Sequence, residues 1–144
     1  MAVRQTLNPI RIERLGADEC RRLLGTQQVG RLGFVSDGEP DIQPVNYVLD
    51  GDAVVFATAP GRMLWSATRS PVAFEVDALE PATRSGWSVV IKGLAQEITP
   101  VDSPSVLDRL QALPLFPWPG GERTMLVRLP TSSITGRRVG TIPM

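Results

Sequence analysis

The residues best suited to chemistry stand in the turn Thr58-Ala59-Pro60-Gly61-Arg62, with Ser66 one helical turn further on and Arg69 beyond. The apolar run Ala53-Val54-Val55-Phe56-Ala57-Thr58 breaks there and restarts as a helix-like Met63-Leu64-Trp65-Ser66-Ala67-Thr68-Arg69. A strand, a tight turn and a helix start leave backbone N–H groups near Arg62 without helical partners, beside the Thr58 hydroxyl and a guanidinium. That combination suits a phosphate. The same residues also suit a helix-initiating turn whose arginine is merely solvated.

Three more groups accompany the turn. Gln43-Pro44-Val45-Asn46-Tyr47 mixes polar and apolar residues, and Pro44 belongs at a sheet edge or bulge. Free backbone amides there could bond the rim of a flat heteroaromatic ring, with Asn46 or Tyr47 beside it; a kinked edge strand explains the same residues. Trp87 and Ser88 begin a later strand, where Trp87 is either a stacking platform or a barrel-end plug. Arg137 and Arg138, after Gly136, form either a solvated pair or contacts for an anionic cofactor or substrate. Glu75 and Asp77 alternate onto one strand face without a nucleophile or metal partner, so a solvated or salt-bridged face is expected. Lys92 has no context for a Schiff base.

Composition excludes much else. With no histidine, the chain cannot carry Ser-His-Asp or Cys-His hydrolysis, histidine-ligated zinc or its own histidine ligand for haem. The single cysteine, Cys20, excludes an internal disulfide or thiolate cluster and reads as a structural helix position. No metal site is expected. Fifteen basic residues balance fifteen acidic ones, which gives no field to attract nucleic acid or an anionic membrane. No apolar run nears the roughly 20 residues of a membrane span, and Met1 to Asn8 lacks a signal-peptide apolar core, so a cytoplasmic protein is expected.

The elements that must position these residues follow from patterning. The 144 residues fit one domain, 1–144. A short helix is predicted over Glu19 to Thr26 with Asp18 as N-cap and Cys20, Leu23 and Leu24 on its buried face. Val29 to Val35, Asp41 to Leu49 and Ala53 to Thr58 read as a meander joined by turns at Ser36-Asp37-Gly38-Glu39-Pro40 and Asp50-Gly51-Asp52. A strand over Pro71 to Asp77 follows, then one long strand over Gly86 to Ile98 with Gly93 as a bulge. Ser103-Pro104 starts a helix reaching Leu113, Leu115 to Gly121 is irregular, and Thr124 to Leu129 and Ser132 to Val139 close the set. About seven antiparallel strands and three short helices favour a small barrel.

The ordered segments Val29-Gly30-Arg31-Leu32-Gly33-Phe34, Pro44-Val45-Asn46-Tyr47, Phe56-Ala57-Thr58-Ala59-Pro60-Gly61-Arg62, Val72 to Asp77, Gly86 to Gly93 and Ile134 to Arg138 resemble the pyridoxamine 5'-phosphate oxidase-like flavin-binding split-barrel family. The resemblance implies a mainly β fold, a six-stranded antiparallel split barrel with short helices, and a homodimer with two cofactor sites at its interface. It implies FMN contacts from Pro44, Val45, Asn46 and Tyr47 around the ring, from Thr58, Gly61 and Arg62 around the phosphate, and from Trp87 and Ser88. Arg137 and Arg138 join as candidates. The family often carries a lysine where this chain has Met63, which removes one expected phosphate charge. Members related to nitroimidazole reductases use a histidine near the flavin, and none exists here.

The expected function is a flavin-dependent oxidoreductase acting on a small-molecule substrate, with FMN carrying the redox chemistry. A deazaflavin (coenzyme F-420)-dependent reductase is the near alternative, its longer anionic tail drawing on Arg137 or Arg138. A non-catalytic barrel holding a flavin, haem or apolar ligand is the rival from another class.

Overall fold

A computed structural model describes residues 9–99, 103–113 and 125–141. The hairpin turn is where local chemistry most directly sets the fold. Asp37 and Gly38 have φ of 53° and 77°, the paired left-handed conformation that a two-residue hairpin between twisted strands needs. It joins β2 (Val29–Ser36) to β3 (Glu39–Asp50), and a second turn at Gly51 leads to β4 (Ala53–Thr58). Helix α2 (Arg62–Arg69), β5 (Val72–Glu80) and β6 (Ser85–Gly93) follow. Before this run lie β1 (Ile10–Leu15) and α1 (Ala17–Leu24); after it come β7 (Gln96–Ile98), α3 (Pro104–Gln111), β8 (Met125–Pro130) and β9 (Ile134–Thr141).

The nine described strands form one antiparallel sheet in the order β1-β9-β6-β5-β2-β3-β4-β8-β7. The mainly β, antiparallel expectation holds, while the strand count is nine rather than six. Two departures account for part of the excess. Ile10 to Leu15, not foreseen as a strand, pairs among the described strands only with β9 and forms an exposed edge. The long strand over Gly86 to Ile98 is two strands, broken after Gly93, whose φ of 156° turns the chain. Only Leu94 and Ala95 separate β6 from β7, yet these stand third and ninth in the strand order, so the sheet must curl to bring them together. Ala95 N–H donates to the Ala67 carbonyl at 3.1 Å and ties this corner to α2.

Alternation sorts the residues into an inner and an outer face. Leu32, Phe34, Tyr47, Phe56, Phe74, Val76, Val89 and Ile91 are buried in the main core. Phe74 is its centre: its ring meets Tyr47 edge-on at 5.3 Å and stacks with Phe56 at 6.2 Å. Gly30 faces this ring so closely that any Cβ there would collide with it. Strand β4 is buried along its whole length because it is covered twice. Val54 and Phe56 enter the main core, while Val55 and Ala57 meet Val106 and Leu110 of α3.

The first helix begins earlier than expected. Gly16 occupies the cap position and makes no side-chain cap bond. Asp18 sits inside the first turn, paired with Arg21 at 3.4 Å, and Glu19 pairs with Arg22 at 2.6 Å. Carboxylates in the first turn still favour the helix dipole, so Asp18 helps without capping. Ser103 likewise stands at the cap of α3 with Pro104 following, but forms no side-chain cap bond. Cys20 is wholly buried beside β9, and burial raises its thiol pKa, in keeping with a structural role. The irregular segment expected over Leu115 to Gly121 lies outside the described residues.

Candidate functional site

Helix α2 settles which side chains can act together. Its amphipathic face presents Met63, Leu64 and Ala67 to the main core. The other face turns Arg62, Trp65, Ser66 and Arg69, spaced three and four residues apart, to a cleft of about 560 Å³ shared with Val35, Ser36 and Asp37 at the end of β2. Met63 therefore packs inward, away from the cleft. A second cation does reach the cleft, from Arg69 two turns later.

Gly61 also lines this cleft. Its φ of 162° is extended backbone that any residue adopts, and a Cβ there would meet no atom within 4 Å. Neither strain nor packing in the chain demands glycine at this place, whereas a close-lying ligand would. Arg62 contacts Asp37 at 3.7 Å, with both side chains about 80% exposed (80% and 81%), a weak ion pair that an incoming phosphate can replace. Thr58 lies buried beneath the turn and donates its hydroxyl to the Ala59 carbonyl at 3.0 Å, so it shapes the turn rather than lining the cleft. Two guanidiniums against one carboxylate, with the first N–H groups of α2 alongside, fit an anion.

A second cleft, of about 630 Å³, lies toward the other end of β5 and gathers Glu75, Asp77, Glu80, Arg84, Trp87, Ser88 and Arg137. Register explains the grouping. Asp77 pairs with Ser88 and Ser88 with Arg137, so the three share the outer face of the sheet. Trp87 stands at the margin, half-buried against the main core. Arg138 points to the opposite face, where its guanidinium meets Glu19 of α1 at 3.2 Å. Arg22 and Arg138 together hold the Glu19 carboxyl down to about 2. Arg138 is thus a strut between β9 and α1, outside both clefts.

Strand β3, which pairs with β2, carries the remaining candidates. Pro44 is opposite Arg31, which is opposite Glu75, and Asn46 is opposite Val29, so Pro44 and Asn46 share the outer face with the second cleft. Val45 and Tyr47 point inward; the Tyr47 hydroxyl donates to the Leu24 carbonyl at 2.6 Å, and burial lifts its pKa above the ordinary range. The Tyr47 N–H donates to the Gln28 carbonyl at 3.0 Å, so neither its side chain nor its N–H is offered to an outer-face ligand. Glu39 to Asn46 pair with β2 alone, because β4 takes up pairing at Tyr47, so the far edge of this segment has no strand neighbour among the described residues. Val35 in the first cleft and Arg31, whose guanidinium reaches Asp77 at 3.8 Å in the second, are about 13 Å apart along the strand.

Glu75 is the residue that sequence reasoning undervalued. Partial burial, and then a hydrogen bond and charge repulsion from neighbouring Asp77, push its pKa up to about 7. The alternation of Glu75 and Asp77 was visible; the desolvation beneath the rim of the second cleft was not. The protonated carboxyl is the form the fold favours, so its contribution to stability is full below the ordinary 4.5 and is lost as pH rises through about 7. Glu75→Gln is expected to match the parent near pH 4 and to exceed its stability above about pH 7, measured by urea unfolding across that range.

The curled antiparallel sheet with its short helices defines a mainly β half-barrel domain. The chain belongs to the pyridoxamine 5'-phosphate oxidase family, whose model matches residues 16–138. It is 35% identical over 131 residues to an uncharacterized protein of Mycobacterium tuberculosis, covering 87% of this chain and 84% of that one. Among solved structures, an FAD-binding protein from Mycobacterium smegmatis is 33% identical, with a TM-score of 0.68 over 88% of this chain and 98% of its own. A putative pyridoxamine 5'-phosphate oxidase from Corynebacterium glutamicum is 28% identical, with a TM-score of 0.69 over 97% of this chain and all (100%) of its own. None of the described helices is long and apolar enough to cross a membrane.

Proposed function

We propose that this chain is a flavin-dependent oxidoreductase that holds the flavin phosphate at Gly61 and Arg62 and lays the ring along the outer face beside Pro44 and Asn46. The observation that carries this is the first cleft: Gly61, which neither strain nor packing requires, lines it together with Arg62 and Arg69 at the N-terminal end of α2. FMN is the smallest flavin that supplies both the phosphate and the ring. Bound flavin would supply the redox chemistry. The chain binds the phosphate, and its outer face orients the ring; at the far end Trp87, Ser88 and Arg137 meet the substrate side, where Glu75 can hold a proton up to about pH 7.

A homodimer completes the proposal. Along the outer face Ile42 is 69% exposed and Val35 50%, so one chain provides a floor without a cover. A second copy would shield the ring from water and bury these apolar residues. The deazaflavin coenzyme F-420 alternative gains less, since Arg137 faces the cleft but Arg138 is engaged by Glu19.

Purified protein should show yellow flavin absorbance, or acquire it on addition of FMN, and light scattering should give twice the chain mass. Colourless protein that takes up neither FMN nor FAD overturns the reading. Anaerobic reduction by nicotinamide nucleotides against reduced deazaflavin then separates the enzymatic variants.

A further inference from the structure

The second cleft lies on an outer face whose residues fall into two rows of different character. Leu79 is in register with Gly86, Gly86 with Val139 and Val139 with Ile12, which makes an apolar row across four strands. Leu79 is 76% exposed and Ile12 63%. A Cβ at Gly86 would lie 2.7 Å from the Leu79 side chain, so the glycine makes room for that side chain on the row. The neighbouring row is polar: Asp77 is in register with Ser88, Ser88 with Arg137 and Arg137 with Arg14. Arg84 lines the same cleft from the turn after β5. The acids here are largely occupied. Arg31 contacts Asp77 at 3.8 Å, Glu75 keeps its proton up to a pH of about 7, and Glu80 accepts the Ala82 N–H at 3.2 Å. Among the described residues no carboxylate pairs with Arg14, Arg84 or Arg137. Cationic charge therefore stands in excess beside exposed apolar surface.

We propose that the second cleft binds a small organic anion with an apolar body, its anionic group on Arg137 and Arg14 and its body along Leu79, Val139 and Ile12. The inference rests on the flavin reading above and deepens it by naming the substrate class. Register sets the cleft next to the ring position, since Glu75 is opposite Arg31 and Arg31 is opposite Pro44. An anion on a guanidinium makes a charge-assisted contact, and covering the apolar row removes its surface from water. A cleft of about 630 Å³ has room for a two-ring aromatic acid. Inorganic phosphate would use the arginines and leave the row in water. An uncharged compound of the same body would cover the row and leave the arginines unpaired.

Calorimetric titration with naphthoate, naphthylmethanol and inorganic phosphate tests this, with FMN present at saturation so that the cations of the first cleft are engaged. The parent should bind naphthoate about tenfold tighter than the alcohol of the same body, and phosphate more weakly than naphthoate. Arg137→Gln should remove the preference for the acid over the alcohol, whereas Leu79→Ser should weaken acid and alcohol by the same factor and keep the preference. Four outcomes overturn the inference while FMN uptake leaves the flavin reading standing: no binding of naphthoate, equal affinity of the parent for acid and alcohol, a preference that survives Arg137→Gln, or phosphate bound more tightly than naphthoate. Leu79→Ser dissociating the dimer overturns it too, because the apolar row then belongs to chain association. A parent protein that takes up neither FMN nor FAD overturns the flavin reading itself, and with it the role of substrate.

Discussion

Arg62→Ala is expected to weaken flavin binding by roughly tenfold to a hundredfold, the worth of a charge-assisted phosphate contact of about 1.5–3 kcal/mol. Its ion pair with Asp37 is exposed and long at 3.7 Å, so losing it should leave folding stability nearly unchanged. Titration of the apo variant with FMN, beside a thermal melt, separates the two effects. Affinity that survives the substitution would place the phosphate elsewhere.

Phe74→Ala should cost about 3–5 kcal/mol of stability, the range for emptying an aromatic core position. Phe74 contacts both Tyr47 and Phe56 and fills the space over Gly30, so little around it can collapse into the void. Gly30→Val should also destabilise the parent by overpacking, yet recover part of the loss when placed in Phe74→Ala, because the added methyls enter the vacated ring volume. Urea unfolding of the four proteins in the cycle measures the coupling. Additive losses would show that the two positions do not share one space.

What was legible in the sequence was mostly local. The turns at Asp37-Gly38 and Gly61-Arg62 and the alternation of Val72, Phe74 and Val76 depend on neighbours along the chain, and they appear where expected. Strand β1 escaped notice because it gains its pairing from β9, at the other end of the described chain, and buries almost nothing of its own. The break after Gly93 was hidden because apolar residues continue on both sides; the curl of the sheet, rather than local propensity, decides that β6 and β7 part.

The site was legible in residue types and less so in direction. Pro44 and Asn46 reach the outer face but Val45 and Tyr47 do not, and Arg137 and Arg138 separate in the same way. A strand's period of two forces this parity on adjacent residues. The missing lysine at Met63 looked like a lost charge while the chain was read as a line. On the helix that position belongs to the core, and Arg69 shares the cleft face with Arg62.

The uncovered floor of the outer face has a thermodynamic consequence. In a two-chain site, every contact the cofactor makes with the covering subunit is a contact that also favours association, so ligand and partner each raise the other's affinity by the same factor. Cofactor retention then obeys mass action in protein as well as in flavin. Dilution alone would strip such a protein, and a cell could set its loaded fraction through expression level.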